Sequence, residues 1–130
     1  MRRSLRRVAA LRHSLHQHAE LLLGVAQREL VAAEASRHAL KALVVSHAAA
    51  GELPLSVLEL SQLAAAAAET TVGALERRRD RCAEDERHRA LEHRQLERLV
   101  ERAEVEDRVE EGRRSQRALD EWTLAKRSRR

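Results

Sequence analysis

The sequence has few of the residues that fill the centre of a compact globule or cross-link it. It contains no Phe and no Tyr, and its only aromatic residue is Trp122. Because bulky aromatic side chains supply much of the volume of a thick core, their absence argues against a rounded globular fold. A single Cys excludes an intrachain disulfide framework and a Cys-rich zinc site. We interpret Cys82 as a small apolar residue of a helix interface in a reducing cytoplasm.

Long apolar stretches are also lacking. The five consecutive alanines Ala64–Ala68 fall far short of the ~20 apolar residues that a membrane-spanning helix needs. The arginine-rich start is not followed by the continuous apolar segment of a secretory signal. We therefore expect no membrane insertion and a cytoplasmic location.

The residues that are abundant are those of long helices. Ala, Leu, Glu, Arg and Lys account for 85 of the 130 residues, which is typical of coiled coils. The 25 basic and 21 acidic residues are mixed along most of the chain, as on a solvated helix surface. Nucleic-acid binding requires a basic face kept clear of acids, and only the two ends of the sequence approach this. We therefore do not expect nucleic acid as a partner.

A single proline divides the helical pattern. Gly51 suits the C-terminal cap of one helix, and Pro54 suits the first turn of the next. A short connection of this kind joins antiparallel neighbours. The sequence therefore predicts an all-α fold, a long antiparallel two-helix coiled-coil hairpin with a longer, overhanging C-terminal helix. The predicted single coiled-coil domain covers 1–130, with helix 1 at about 2–50, the turn at about 51–54 and helix 2 at about 55–127.

Two rows of apolar residues define the predicted interface between the helices. On helix 1 a row recurs every seven residues, as in a coiled coil, although Arg37 interrupts it: Ala19, Ala26, Ala33 and Leu40, with Leu23, Leu30 and Val44 on the companion row. Leu5, Val8, Leu11, Leu15 and Leu22 are assigned to the same face. On helix 2 the predicted row is Val57, Leu60, Ala64, Ala67, Thr71, Leu75, Cys82, Leu96, Leu99 and Ala103. Reversal of the chain near residue 52 brings these rows together. It also places the N-terminal arginines opposite a zone that holds Glu97, Glu101 and Glu104, so two patterns agree on one register.

The same register leaves the sequence after about Glu104 without a partner in its own chain. Apolar residues nevertheless continue there: Val105, Val109, Leu119 and Trp122. An apolar row that the chain cannot cover is expected to be an interaction site. Trp122 is either a local packing residue near the helix end or a binding anchor.

The basic C-terminal residues allow two interpretations. They are Lys126, Arg127, Arg129 and Arg130. Such residues either keep the chain soluble and pair with nearby acids, or dock onto an acidic protein surface or onto anionic lipid.

No constellation of residues indicates catalysis. His13, His16 and His18 form an H-x-x-H-x-H pattern, but no Cys or acidic residue is judged close enough in sequence to complete a typical zinc set. Adjacent carboxylates such as Asp85 and Glu86 diverge around a helix, and a two-helix rod offers no deep concavity. The sequence therefore predicts a non-enzymatic protein with no catalytic, cofactor-binding or metal-binding residues and no small-molecule substrate.

Both ends of the chain resemble a known family. The opening Ser4–Arg12 (SLRRVAALR) and the following Ala26–Leu30 (AQREL) are similar to the start of FliJ-type flagellar export proteins. The close, Arg117–Thr123 (RALDEWT), is similar to that family's C-terminal Leu-Asp-Glu core before an aromatic or aliphatic residue. The high content of Arg and Ala departs from the family pattern.

The resemblance implies a central stalk and adaptor of the flagellar type III export apparatus, in the cytoplasm and peripheral to the inner face of the cell membrane. Such a stalk couples the export ATPase ring to the export gate membrane protein, contacts export chaperones, and is needed for flagellum assembly and motility. The overhang, the resemblance and the basic end together give the expected partner-binding residues: Val105, Val109, Leu119, Asp120, Glu121, Trp122, Lys126, Arg127, Arg129 and Arg130. The alternatives are the stalk of a virulence-type secretion system and a generic scaffolding or nucleic-acid-associated coiled coil.

Overall fold

The computed structural model describes residues 2–51 and 54–129, which form two long helices packed against each other. Helix α1 spans Arg2–Ala49 and helix α2 spans Leu55–Ser128, against the predicted 2–50 and 55–127. The described residues contain no strand, so the prediction of an all-α fold built on two long helices is confirmed. Neither helix, over its described residues, has an apolar stretch long enough to cross a membrane.

Gly51 and Pro54 mark the end of α1 and the start of α2. Gly51 has a φ of +69°, a left-handed conformation that a residue with a Cβ adopts only at a cost. Its amide donates to the carbonyl of Ala48 at 3.2 Å, which closes the last turn of α1. The carbonyl of Pro54 accepts the amides of Val57 and Leu58 at 3.0 and 3.1 Å and so opens α2. The rest of the predicted turn, residues 52 and 53, lies outside the described residues.

The contacts divide the chain into two compact units, of which the larger covers residues 15–90. Its core consists of Ala19, Ala26, Leu30 and Val72, which are 1–3% exposed. Small side chains at these positions let the two helical segments approach closely. Across the segments Glu29 pairs with Arg78 and Arg37 pairs with Glu69. Because the partner's number falls as the number on α1 rises, the two segments run in opposite directions within this unit.

The row predicted for the first part of α2 is wrong by one position. Val57, Leu60, Ala64, Ala67 and Thr71 are exposed. The residues that lie against α1 instead are Leu58, Ser61, Ala65, Ala68 and Val72. One residue corresponds to a rotation of about 100° around a helix, which exchanges the covered face for an open one. The error arose because consecutive alanines carry no periodicity and because Ser61, a polar residue, occupies one of the covered positions.

The later part of the predicted α2 row is mostly correct. Leu75, Cys82, Leu96 and Ala103 are half-buried, whereas Leu99 is exposed. Covered positions on α2 recur at steps of three and four from Leu58 to Asp107, the spacing of a heptad pattern.

On α1 the alanine row is covered as predicted, but some larger residues are not. Ala19 and Ala26 are buried, and Ala33 and Leu40 are half-buried. The predicted companion row is also covered, since Leu30 is buried and Leu23 and Val44 are half-buried. Val8, Leu11 and Leu22 are exposed, and Ala9 and Arg12 are the covered positions next to Val8 and Leu11. Several covered positions of both helices therefore carry polar side chains, and these were overlooked by a search for apolar residues.

The second unit consists of residues 1–14 and 91–130. Its half-buried apolar residues are Leu5, Ala9, Leu96, Val100 and Ala103. Arg6 donates to Glu104 at 3.1 Å, which is one of the ion pairs expected between the N-terminal arginines and the acidic zone of α2. Arg12 pairs with Glu92 across the same unit.

Candidate functional site

The C-terminal part of α2 is exposed along its whole described length. Every residue from 108 to 129 is exposed, including Leu119 and Trp122 at 58% and 62%. Val105 and Val109 are also exposed. Two large apolar side chains on two adjacent turns, with nothing covering them, form a surface that a binding partner could bury. We call residues 105–129 the C-terminal segment.

The apolar row of the C-terminal segment does not continue the face of α2 that packs on α1. Ala103 and Asp107 are half-buried, whereas Val105 and Val109, two residues further on in each case, are exposed. Two residues correspond to about 200° around a helix. The expected continuation of the interface is therefore wrong, and Val105, Val109 and Leu119 lie on a separate face of α2.

Contacts between neighbouring turns order the side chains around Trp122. Lys126 Nζ lies 4.9 Å from the centroid of the Trp122 ring, a cation–π contact. Gln116 Nε2 donates to Asp120 Oδ1 at 3.0 Å, and the Thr123 hydroxyl donates to the carbonyl of Leu119 at 2.8 Å. The Gln116–Asp120 and Lys126–Trp122 contacts each contribute only a few tenths of a kcal/mol to about 1 kcal/mol at an exposed site. Of these contacts, that of Lys126 reaches the Trp122 ring itself.

The remaining residues predicted to bind a partner lie on the same segment. Glu121, Arg127 and Arg129 are exposed, and Arg130 lies outside the described residues. The segment also holds an ion pair of Glu110 with Arg114 at 3.4 Å.

A second polar feature lies inside the unit of residues 15–90. His16 is half-buried at a heptad position of α1, and Glu86 is half-buried at a heptad position of α2. His16 Nε2 lies 3.0 Å from Glu86 Oε1 and 3.3 Å from Glu20 Oε1. One imidazole nitrogen is thus shared by two carboxylates from two helices. We call these three residues the His16 cluster.

Sequence reasoning judged that no acidic residue near the histidines could complete a ligand set, and the structure corrects this. Glu20 follows His16 by four residues and therefore lies on the same face of α1. Glu86 is far away in sequence and is brought in by packing of the helices. The signal available in the sequence was the heptad position of both His16 and Glu86, which a search for apolar positions passes over. His18, the third histidine of the pattern, is exposed.

A pair of histidines lies in the other unit. His13 Nδ1 is 3.3 Å from His93 Nε2, and the ring centroids are 4.9 Å apart. His93 Nε2 is also 3.1 Å from Glu97 Oε1. A hydrogen bond between these two ring nitrogens needs one of them as the donor and the other as the acceptor.

A triad of charges links the helices near their connection. Lys41 Nζ lies 2.6 Å from Glu69 Oε1, and Arg37 Nη1 lies 3.1 Å from Glu69 Oε2. The hydrogen bond from Lys41, followed by the charge of Arg37, lowers the pKa of Glu69 below its ordinary value of 4.5.

Comparison of the chain with protein-family models, with curated proteins and with solved structures finds no significant match.

Proposed function

We propose that the chain is a non-enzymatic central stalk and adaptor of the flagellar type III protein export apparatus. In this proposal α1 and α2 form an antiparallel coiled-coil hairpin whose longer C-terminal helix overhangs. The stalk couples the export ATPase ring to the membrane export gate and contacts export chaperones. Flagellum assembly and motility depend on it.

One observation carries the proposal, and it concerns the C-terminal segment. Leu119 and Trp122 are 58% and 62% exposed, and they lie in a stretch, residues 108–129, in which every residue is exposed. Aromatic residues are the commonest anchors of protein interfaces. The resemblance to FliJ-type proteins includes the same residues, Leu119–Trp122, and was inferred from the amino-acid sequence alone. Exposure and resemblance are therefore two separate supports for one binding surface.

The charges of the segment suggest how it would engage a ring. Lys126, Arg127 and Arg129 follow Trp122 and are exposed, so acids on the inner wall of the ring would attract them. In this arrangement the ends of the hairpin enter the ATPase ring. The chain then works in the cytoplasm, peripheral to the inner face of the cell membrane, and any chemistry belongs to the ATPase.

The test is a binding titration of the purified chain with the flagellar export ATPase. Trp122→Ala should weaken binding by on the order of 2 kcal/mol, about 30-fold, because an aromatic anchor is lost. The matched control is Leu63→Ala, which removes a side chain of similar exposure, 68%, from the unit of residues 15–90. This control should bind as the unmodified chain does.

Three outcomes would contradict the proposal. The first is no binding to the flagellar ATPase, and the second is equal loss in Trp122→Ala and Leu63→Ala. The third is DNA binding that weakens steeply with salt, which is the behaviour of a nucleic-acid-associated coiled coil. Preference for the ATPase of a virulence-type secretion system would keep the stalk but reassign its apparatus.

A further inference from the structure

We propose that His16, Glu20 and Glu86 form a binding site for one divalent transition metal ion, of which Zn²⁺ fits best, and that the ion links α1 to α2. Among the described residues this is the one group of three His, Cys, Asp or Glu side chains whose donor atoms all lie within 4.8 Å of one another. The inference does not rest on the proposed stalk function.

The distances within the His16 cluster match those between ligands of one ion. Zinc binds imidazole nitrogen and carboxylate oxygen at about 2.0–2.2 Å, so neighbouring ligands of a tetrahedral ion lie roughly 3.3 Å apart. His16 Nε2 is 3.0 Å from Glu86 Oε1 and 3.3 Å from Glu20 Oε1. The two carboxylate oxygens lie within 4.8 Å of each other, so an ion would bind all three ligands after adjustment of the exposed Glu20 side chain.

A metal ion can bind His16 and both carboxylates at once, which a single hydrogen on His16 Nε2 cannot do. His16 Nε2 can carry one hydrogen, and one N–H makes one well-aligned hydrogen bond. Two carboxylates compete for it, from Glu20 and Glu86. A dication coordinates both oxygens and the nitrogen at once. Its two positive charges also balance the two negative charges of the carboxylates.

The donor set favours zinc or a neighbouring first-row metal. Imidazole suits Zn, Cu, Fe and Ni, whereas Mg²⁺ and Ca²⁺ prefer sites made entirely of oxygen. Three protein ligands leave the fourth position for water, as in open zinc sites.

Two ligands of the site are largely covered by packing, and the third is open to solvent. The side chains of His16 and Glu86 are 17% and 23% exposed, so packing restricts them, whereas Glu20 is 55% exposed. The covered ligands sit on two helices, which hold them more precisely than loops would. The exposed side at Glu20 provides the entry path that a metal site needs. Binding to the folded chain would stabilise the pairing of the two helices by mass action.

The test is calorimetric titration of the full, metal-stripped chain with zinc sulfate near neutral pH. We expect one ion per chain and a melting temperature that rises with zinc concentration. His16→Gln and Glu86→Gln should each weaken binding tenfold or more, because a direct ligand is lost. The controls are His18→Gln and Glu84→Gln, which change exposed residues of the same helices and should leave binding unchanged.

Other outcomes would overturn the site. If the unmodified chain shows no saturable zinc binding, the site is wrong. It is also wrong if Glu86→Gln binds zinc as tightly as the unmodified chain. Loss of binding in His13→Gln together with unchanged binding in His16→Gln would place the ion at the His13–His93 pair instead. Helix content and melting temperature of each variant in a chelator show whether it is folded, so loss of zinc binding in a folded Glu86→Gln chain supports the site.

Discussion

Arg37 and Glu69 join the two helices through an ion pair of 3.1 Å, although Arg37 occupies a heptad position where an apolar residue would be the usual choice. Lys41 contacts the other oxygen of the same carboxylate at 2.6 Å. A charged residue at a covered position costs stability but fixes the register of paired helices. The lowered pKa of Glu69 also predicts that the stability of the folded chain depends on pH.

The ionised Glu69 carboxylate should stabilise the folded chain at neutral pH, and this contribution should be lost in acid. Its pKa is lowered in the folded state, first by the hydrogen bond from Lys41 and then by the charge of Arg37. A carboxyl whose folded pKa lies below its unfolded pKa contributes stability that is complete above the unfolded pKa, here near 4.5, and is lost as pH falls through the folded pKa. Melting temperatures of the unmodified chain and of Glu69→Gln should therefore converge as pH falls from 6 to 3. Glu59→Gln, an exposed residue of the same helix, serves as the control, and a constant gap between Glu69→Gln and the unmodified chain would refute the prediction.

Val72→Ala should destabilise the unit of residues 15–90. Val72 is 2% exposed and is the largest fully buried side chain of the described chain. Removing its two methyl groups loses burial and leaves a small cavity, at a cost of about 2 kcal/mol. Val45→Ala, at a position 67% exposed, should change the free energy of unfolding by less than about 0.5 kcal/mol. Urea unfolding of both variants measures the difference, and equal effects would mean that Val72 is not at the centre of the packing.

Two glycines should respond to alanine in opposite directions. Gly51 has a φ of +69° with no atom near the added Cβ, so Gly51→Ala should cost about 1 kcal/mol through backbone strain alone. Gly112 lies inside α2, also in open space and without a positive φ, so Gly112→Ala should add helix stability of up to about 1 kcal/mol. Thermal unfolding followed by circular dichroism tests both. A stabilising Gly51→Ala would show that residue 51 does not require a positive φ in solution.

The sequence predicted the two helices well because their boundaries depend on local chemistry. Gly51 and Pro54 act on their own backbone, and the heptad spacing of Ala19 and Ala26 does not depend on the partner helix. The covered face of early α2 could not be predicted in the same way, since the five alanines Ala64–Ala68 fit any face of a helix. Only packing against α1 selects the face of α2 that contains Val72.

The two candidate sites also differ in how far the sequence could predict them. Trp122 could be named as a candidate from the sequence, because it is the only aromatic residue and lies beyond the expected pairing of the helices. The His16 cluster was not, because its third member, Glu86, comes from the other helix and reaches His16 only through the register. A one-residue difference in register turns a side chain to another face. A site made across two helices is therefore predictable only after that register is known.

The basic end of the C-terminal segment should govern the rate of association with the export ATPase. Lys126, Arg127 and Arg129 are exposed, and exposed charges steer encounter more than they hold a formed complex. Changing all three to Glu should lower the association rate constant at least tenfold at about 20 mM salt, and by much less at about 500 mM, because salt screens the attraction. The control makes the same change at three exposed arginines far along the chain from this end, Arg77, Arg81 and Arg94, and should alter association little. Stopped-flow or surface-plasmon measurements at the two salt concentrations separate the rates. If the rate of dissociation changed instead, with equal effect at both salts, the basic residues would contact the ring directly, and electrostatic steering would not be their role.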